Sequence, residues 1–268
     1  DCPVPTRALA NDKVAEWRSR DWRVGIMTGD VSYATDSPVV VATLEAAQGA
    51  LRDGGDARTV VIDEYQWIAD PARGNHYEGA IISLPISVQL LLLSGCVANP
   101  DEIGAWLRQL GREARVVRHA ERPVPIEEVD LDDLARRPPS GITGYWPTRI
   151  AAALRDDLGP ILVFAPHRQG AERRARQLAR ALPTPDPLPL NDAQRALLGT
   201  GLERLIASRI AYHHSGLSYE QRAGLIEPLA KAGQLRVVVA TLGLSAGINF
   251  SLRSVLITRD RFSADTAI

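Results

Sequence analysis

The sequence has few cysteines, no long apolar run and almost no net charge. Cys2 and Cys96 lie far apart, so neither a disulfide framework nor a cysteine zinc site is expected, and a reducing cytoplasm is the expected location. The longest apolar runs, such as residues 88–93, are far shorter than the roughly 20 residues that cross a bilayer. The N-terminus does not resemble a signal peptide, and no membrane association is expected.

The charges are balanced, with 31 Lys and Arg against 32 Asp and Glu and a net charge of −1. This balance excludes a strongly basic surface that would hold nucleic acid all over, but it leaves room for local basic patches. Of the 268 residues, 45% are hydrophobic, which is enough for a sizeable core in one large or two small domains.

Short apolar runs rich in β-branched residues alternate with longer amphipathic segments. The runs are residues 39–43, 59–62, 89–93, 161–164, 236–240 and 254–257. Nearly unbroken hydrophobic strands are typical of a parallel sheet that is covered on both faces. Residues 169–182 place Ala171, Ala175, Leu178 and Leu182 on one helical face, with arginines mostly off it. The alternation predicts an α/β fold.

A proline-rich stretch interrupts this alternation between residues 120 and 147. It contains Pro123, Pro125, Pro138, Pro139 and Pro147, together with an acidic cluster at residues 130–133. Prolines at this density favour a connector over a regular element. The sequence therefore predicts a first lobe at residues 1–119, a connector at 120–147 and a second lobe at 148–268.

Two adjacent carboxylates follow the apolar run at residues 59–62. Asp63 and Glu64 come directly after it, and the polar Gln66 follows. In open α/β sheets, ligands collect beyond the carboxyl ends of the strands. One carboxylate there can bind Mg²⁺ through oxygen while its neighbour orients a water. Taken alone, the pair favours a solvated turn, because acidic dipeptides are common in loops.

Hydroxyl and glycine residues follow other strands of the first half. Thr28 and Gly29 follow one apolar run, Thr43 ends another, and Ser94 and Gly95 follow a third. Hydroxyls and free backbone N–H groups at one sheet edge suit phosphate or nucleic-acid backbone binding. A structural helix cap is the alternative for Thr43 and Ser94.

Adjacent histidines at positions 213 and 214 invite a metal assignment. Neighbouring residues on a strand point to opposite faces, so both seldom bind one ion. A structural or nucleic-acid-facing role is therefore predicted for His213 and His214.

The order of these segments resembles that of superfamily 2 helicases, specifically the superkiller-type DExH group. Residues 5–10 resemble motif Ia, 42–45 motif Ib, 63–66 motif II, 93–96 motif III, 161–164 motif IV and 240–249 motif V. Residues 27–30, 70–74 and 212–217 also match segments typical of the group. The resemblance covers nearly the whole chain in the correct order.

This resemblance implies two RecA-like lobes with parallel sheets and a role for each motif residue. Asp63 would hold Mg²⁺ through ATP, Glu64 would orient the attacking water, and Gln66 would act beside them. The other implied positions are Ser94 and Gly95 for coupling, Gly247 and Asn249 at the nucleotide face, and Thr6, Arg7, Thr43 and Thr241 on the nucleic acid. ATP and Mg²⁺ are the implied cofactors, and the implied partner is single-stranded or partly duplex RNA or DNA.

The chain departs from the group in several places. Motif II carries Gln66 where His is usual, and the similar mitochondrial degradosome helicases also carry Gln there. Motif III lacks the usual Ala-Thr. No G-x-x-x-x-G-K-[ST] loop, which cradles phosphates, and no arginine-bearing motif VI occur in the 268 residues. The sequence is therefore interpreted as a core fragment, incomplete at both ends, of an ATP-dependent helicase that translocates on a single strand. We expect the isolated chain to be monomeric and to lack measurable ATPase activity.

Two alternatives stay open. The chain could be a non-catalytic nucleic-acid-binding or regulatory remnant of a helicase, or part of a translocase that remodels complexes without separating strands. Sequence-independent gripping of the backbone leaves no signature that distinguishes RNA from DNA.

Overall fold

A computed structural model describes residues 2–4, 7–52, 57–71, 73–119, 121, 124–136, 139–199, 201–241 and 250–257. The chain forms two compact units, residues 1–124 and 125–268. The three-part division at residues 119 and 147 stays a prediction. No helix in the described ranges is long and apolar enough to cross a membrane.

The first unit contains strands that are mostly parallel and are flanked by helices. The strands are β1 (Cys2–Val4), β2 (Val24–Met27), β3 (Ser32–Tyr33), β4 (Val39–Thr43), β5 (Thr59–Ile62) and β6 (Gln89–Leu92). The helices are α1 (Arg7–Arg18), α2 (Leu44–Arg52), α3 (Gly74–Ser83) and α4 (Pro100–Gln109), with a 3₁₀ turn at Tyr65–Ala69. One sheet has the order β1-β4-β2-β3, β5 pairs with β6, and β1 also contacts β5.

Parallel pairing in this unit follows from the buried apolar runs. Val24 lies opposite Val39 in the β2–β4 pair, and Val61 lies opposite Leu91 in the β5–β6 pair. Val41, Val60 and Ile62 are almost completely buried, as the sequence predicts for strands covered on both faces. Helix α1 packs on β2 and β4, whereas α2 packs against α3.

The second unit has a four-stranded parallel sheet. Its strands are β7 (Ile161–Phe164), β8 (Ile210–His213), β9 (Val237–Ala240) and β10 (Ser254–Leu256), in the order β10-β7-β9-β8. Its helices are α5 (Leu131–Leu134), α6 (Tyr145–Arg155), α7 (Arg168–Ala181), α8 (Asp192–Ala196), α9 (Glu203–Ala207), α10 (Tyr219–Gln221) and α11 (Glu227–Lys231), with a π-type turn at Arg222–Ile226. All four residues of β9 are fully buried.

The predicted apolar face of α7 is confirmed. Ala171, Ala175 and Leu178 are fully buried, and Leu182, just after the helix, is nearly so. This face packs on β8 and β9, so the 3.6-residue period places the helix on the sheet as expected. Both units therefore have the α/β architecture with parallel strands of RecA-like domains.

Two strands differ from the prediction of burial on both faces. Leu91 in β6 is 47% exposed, and Val255 in β10 is 57% exposed. Each strand lies at the edge of its sheet among the described strands, so one side lacks a neighbour. No apolar run in the sequence indicated β3, a two-residue exposed strand that pairs antiparallel with β2.

Candidate functional site

The chain turns sharply after β5, where the two carboxylates lie. Glu64 has φ 56° and ψ 43°, in the left-handed region that non-glycine residues seldom adopt. The cost is about 1 kcal/mol. The Tyr65 N–H donates to the Leu93 carbonyl at 3.0 Å, and the Glu64 N–H donates to Asp63 Oδ1 at 3.1 Å. Strained backbone of this kind clusters at functional sites, which supports a role for the turn.

Gln66 connects the ends of β5 and β6. Its Nε2 donates a short hydrogen bond to Glu64 Oε2, and its Oε1 accepts one of 2.6 Å from Ser94 Oγ. Ser94 Oγ in turn accepts the Cys96 N–H at 3.2 Å. Gln66 and Ser94 are thus joined by a direct hydrogen bond, and the coupling role that the resemblance implies for Ser94 stays a prediction. The side-chain amide of Gln66 therefore links the Glu64 carboxylate directly to the Ser94 hydroxyl.

Asp63 lies at the surface of this turn in a charged setting. Its side chain is 24% exposed, and its Oδ2 lies 3.9 Å from Lys13 Nζ of α1. Burial raises the pKa of the nearby Tyr77 to about 12. The negative charges of Glu45, Glu64 and Asp63 act in the same direction, and the positive charge of Arg73 opposes them. The turn therefore lies in a region of negative charge that reaches the buried Tyr77.

The donor set fits a metal ion that is shared with phosphates and does not fit a closed protein cage. Among the described residues no group of three or more His, Cys, Asp or Glu side chains could hold a metal ion. Mg²⁺ is usually bound by one or two carboxylates together with substrate phosphates and waters. Asp63 alone, partly exposed at a strand end, meets that requirement.

The segment that follows is fixed by a tight turn before α3. Asp70 Oδ1 accepts the Arg73 N–H at 2.9 Å, and the Asp70 carbonyl accepts the Gly74 N–H at 2.7 Å. A β-carbon at Gly74 would lie 2.4 Å from the Ile68 carbonyl oxygen, so the close backbone approach requires glycine. This turn sets the start of the helix that carries Tyr77 behind the carboxylates.

We expect Gly74→Ala to destabilise the first unit by about 1–3 kcal/mol, because the added methyl group forces the backbone apart. Gly79→Ala is the matched control in the same helix, since an added β-carbon there meets nothing within 4 Å. Its expected effect is neutral or stabilising by up to about 1 kcal/mol. Urea unfolding of both variants measures the difference, and equal stabilities would contradict the steric argument.

The carboxyl edge of the second sheet forms a separate shallow cavity of about 510 Å³. Pro166, His167, Arg168, Gln169 and Thr241 line it. The strands β7 and β9 end here, α7 begins here, and the Thr241 N–H donates to the His213 carbonyl at 3.2 Å. An Arg168 guanidinium nitrogen donates to Ser215 Oγ at 2.7 Å. The cavity thus combines a helix N-terminus with the Arg168 cation and Thr241, which suits an anionic backbone.

The two adjacent histidines lie on opposite sides of β8, as predicted. His213 Nε2 lies 2.9 Å from Glu227 Oε1, with both side chains buried. His214 Nε2 lies 3.2 Å from Glu172 Oε1, and its Nδ1 accepts the Gly216 N–H at 3.1 Å. Each ring is held by a glutamate, which supports the structural role.

Both histidine environments shift a pKa. Burial opposes ionisation of Glu227, but the hydrogen bond and charge of His213, with Lys231 and Arg222, outweigh it and lower the pKa of Glu227. Burial also lowers the pKa of His214 below its usual 6.5, against the opposing effect of Glu172. The folded second unit therefore favours a neutral His214.

Acidification should consequently weaken the second unit. A lowered histidine pKa contributes stability that is present above pH 6.5 and is lost as the pH falls towards the folded-state pKa. We expect the melting temperature to fall on acidification below pH 6.5 and His214→Gln to flatten that dependence, because Gln keeps a polar contact without titrating. Thermal melts of the second unit between pH 7.5 and about 5 measure this. An unchanged slope in the variant would contradict the assignment, and His167→Gln, at an exposed position of the same unit, is the control.

The sequence of the chain is similar to those of several helicases. The chain is 31% identical over 275 residues to an ATP-dependent DNA helicase Hel308 of Thermoplasma acidophilum, covering 95% of this chain and 39% of the relative. It is 30% identical to the Hel308 of Pyrobaculum calidifontis, with the same coverage. It is 28% identical to a probable helicase HelY of Mycobacterium tuberculosis, and this match covers 96% of this chain and 36% of the relative.

The chain is homologous to superkiller-like superfamily 2 helicases. No protein-family profile matches it. It spans less than two-fifths of the length of these helicase relatives. The resemblance inferred from the motif order is therefore confirmed.

The helicase-type site residues are only partly brought together. Asp63, Glu64, Gln66 and Ser94 form one connected cluster, with Gly95 exposed beside it. Thr43 is buried at the end of β4. Thr6, Gly247, Asn249 and the Arg7 side chain lie outside the described residues.

Sequence analysis did not single out Lys13, His167 or Arg168 as site residues. His167 and Arg168 carry a signal that could have been used, since they start the helix that follows a parallel strand. Lys13 carries none, because only the packing of α1 brings it near Asp63.

Proposed function

We propose that the chain is a core part of an ATP-dependent helicase that moves along a single strand of nucleic acid. The observation that carries the proposal is the connected cluster in which Gln66 joins Glu64, after β5, to Ser94, after β6. The relatives named as ATP-dependent helicases align over almost the entire chain, which supports the same activity for the protein that contains it.

In this proposal Asp63 and Glu64 have separate tasks. Asp63 would bind Mg²⁺ together with the phosphates of ATP, and the ion would neutralise charge that develops during phosphoryl transfer. Glu64, whose carboxylate is held by the Gln66 amide, would orient the attacking water. Lys13 would release Asp63 when the metal binds, since the 3.9 Å ion pair is partly exposed and therefore weak.

Gln66, Ser94 and Gly95 would transmit the state of the nucleotide to the nucleic acid. The 2.6 Å Ser94–Gln66 bond is a direct route from the end of β5 to the end of β6. Gly247 and Asn249 are proposed at the nucleotide face on the basis of the motif resemblance. ATP binding and ATP hydrolysis would then alternately change the contacts between the protein and the nucleic-acid strand.

The nucleic-acid grip is proposed to rest on strand ends and helix N-termini. Thr241 lies in the cavity at the start of α7 with His167 and Arg168, which supports phosphate contacts there. Thr6, Arg7 and Thr43 are proposed contacts in the first unit. The Hel308 names make DNA the first substrate to test. A monomeric state and a cytoplasmic location belong to the same proposal.

The test compares the 268-residue chain with the longer polypeptide that its flanking coding sequence encodes. We expect single-stranded nucleic acid to stimulate ATP hydrolysis by the longer polypeptide, and no measurable hydrolysis by the 268-residue chain, which has no G-x-x-x-x-G-K-[ST] loop. Ser94→Ala should reduce the stimulation about fivefold, the value of a hydrogen bond of about 1 kcal/mol. Ser83→Ala, at an exposed helix end, is the matched control.

The outcomes separate the rival functions. Strand binding by the longer polypeptide without any ATPase activity would overturn the motor and support a nucleic-acid-binding remnant. Stimulated ATPase activity without duplex unwinding would support a translocase that remodels complexes. DNA and RNA must be compared at one fixed salt concentration, because phosphate contacts depend strongly on salt.

A further inference from the structure

The histidine turn, residues 214–217, follows β8 and lies against the start of α7. The Arg168 guanidinium donates to the hydroxyl of the exposed Ser215 at 2.7 Å. A β-carbon on Gly216 would lie 3.1 Å from His214 Nδ1 and 3.5 Å from Arg168 Cδ. The turn, the imidazole ring and the arginine are therefore packed against one another.

The hydrogen bonds of His214 determine which ring nitrogen carries the proton. Nδ1 accepts the Gly216 N–H at 3.1 Å, so it presents a lone pair and carries no hydrogen. In the neutral ring the proton is therefore on Nε2, which donates to Glu172 Oε1 over 3.2 Å. The same ring thus accepts from the turn and donates to α7.

Glu172 is itself held in place by a second contact. Its Oε2 accepts a hydrogen bond of 2.7 Å from the Arg176 guanidinium, one helical turn further along α7. The ring of Tyr212 stacks on His214, with centroids 5.2 Å apart and planes inclined by 12°. The His214 side chain is only 4% exposed, so its bond to Glu172 is shielded from water. A largely buried pair therefore sets the position of the turn.

Arg168 is the exposed end of this series of contacts, and it lines the cavity together with Thr241. A free arginine side chain populates many rotamers, and ordering it on binding costs free energy. The Ser215 hydroxyl restricts these rotamers before any ligand binds. Because Ser215 lies between His214 and Gly216 in the chain, the bond between those two residues determines where its hydroxyl lies.

We propose that Glu172 and His214 are positioning residues for Arg168, which they preorganise through the histidine turn to contact a phosphate of a nucleic-acid strand. The inference rests on the phosphate contacts proposed above for this cavity. Glu172 holds the ring with its Nδ1 lone pair towards Gly216, and the two residues act through the turn without contacting the phosphate. A ring in the other tautomer would place an N–H against the Gly216 N–H and would displace the turn.

Substitution of Glu172 separates positioning from charge. If charge were its only contribution, loss of this carboxylate beside a phosphate site would strengthen strand binding. We expect the opposite for Glu172→Ala, which should weaken binding of a single-stranded oligothymidine to the 268-residue chain at least about threefold, because the ring loses its acceptor. Glu172→Gln should bind at least as tightly as the unmodified chain, since its amide oxygen can still accept the His214 Nε2–H.

The salt dependence of binding identifies the contact that is lost. Arg168→Gln should lower the slope of log affinity against log salt by about 0.7, the value for one phosphate contact on a single strand. Glu172→Ala and Ser215→Ala should lower it as well, and neither should add to Arg168→Gln in a double variant. Glu203→Ala, which removes an exposed carboxylate in the same unit, is the control and should leave the slope unchanged.

Two results would overturn the proposal: tighter strand binding by Glu172→Ala, or a salt slope equal to that of the unmodified chain. If Glu172→Ala does not fold, Ser215→Ala decides the same question. It removes the last link to Arg168 and leaves the buried pair intact, so an unchanged slope in this variant also overturns the proposal.

Nitrogen NMR tests the positioning in the absence of any strand. At neutral pH the unmodified chain and Glu172→Gln should show His214 with an unprotonated Nδ1 and a protonated Nε2, and a single sharp Arg168 side-chain signal. Glu172→Ala should average the two ring signals and broaden that of Arg168, while His213, which is held by Glu227, serves as the internal control. These changes in a chain that binds no strand would refute the proposed function and support the positioning. Unaltered His214 and Arg168 signals would overturn the positioning.

Discussion

Asp63→Asn is expected to reduce the nucleic-acid-stimulated ATPase rate of the longer polypeptide by at least about a hundredfold. Removal of one preorganised group that stabilises transition-state charge typically costs a factor of about 10²–10³. Asn keeps the size of the side chain and an oxygen that can accept the Glu64 N–H, which now bonds at 3.1 Å. The variant therefore tests the carboxylate charge and not the shape of the turn.

The measurement is the ATPase rate at saturating single-stranded nucleic acid, with and without Mg²⁺. Asp36→Asn is the matched control, because it changes an exposed carboxylate in a turn of the same unit. Circular dichroism of both variants establishes that the fold is retained. A rate for Asp63→Asn within tenfold of the unmodified protein would remove the role proposed for Asp63.

Glu227→Ala is expected to destabilise the second unit by about 3–5 kcal/mol, because it leaves His213 buried without its partner. The 2.9 Å bond joins β8 to the first residue of α11, and the His213 ring also meets the edge of Phe250, with centroids 6.2 Å apart. Glu227→Gln should cost less, since the amide can still accept or donate a hydrogen bond at this position.

Urea unfolding, followed by a probe within the second unit, measures these costs. Glu203→Ala provides the control, because Glu203 is an exposed glutamate at the start of α9. A cost below about 1 kcal/mol for Glu227→Ala, which is the range of exposed ion pairs, would show that the buried pair is not a structural support.

The strands that sequence analysis placed correctly are those formed by apolar runs, including β6 and β10, which are partly exposed. In β4, β5, β7 and β9 an unbroken apolar run is sufficient, because burial itself selects these residues. β3 could not be found this way. Its two exposed residues pair with β2 through a turn in which the Thr28 N–H donates to the Val31 carbonyl at 2.7 Å.

The candidate site also has one part that the sequence predicts and another part that it does not. Asp63, Glu64, Gln66 and Ser94 are carried by local motifs, so their grouping could be anticipated from the order of segments. The contact of Lys13 with Asp63 joins positions that are far apart in the sequence. Such contacts depend on how helices pack on the sheet, and no local pattern in the sequence specifies them.

The left-handed backbone at Glu64 has a consequence for how this position can vary. Glycine would relax the turn without a steric penalty, and asparagine would suffer less there than glutamate does. Either replacement would give up the carboxylate that Gln66 now holds. The role proposed for Glu64 and the stability of the turn thus make opposite demands on one residue. A version of this chain selected only for thermal stability is expected to replace glutamate at this position.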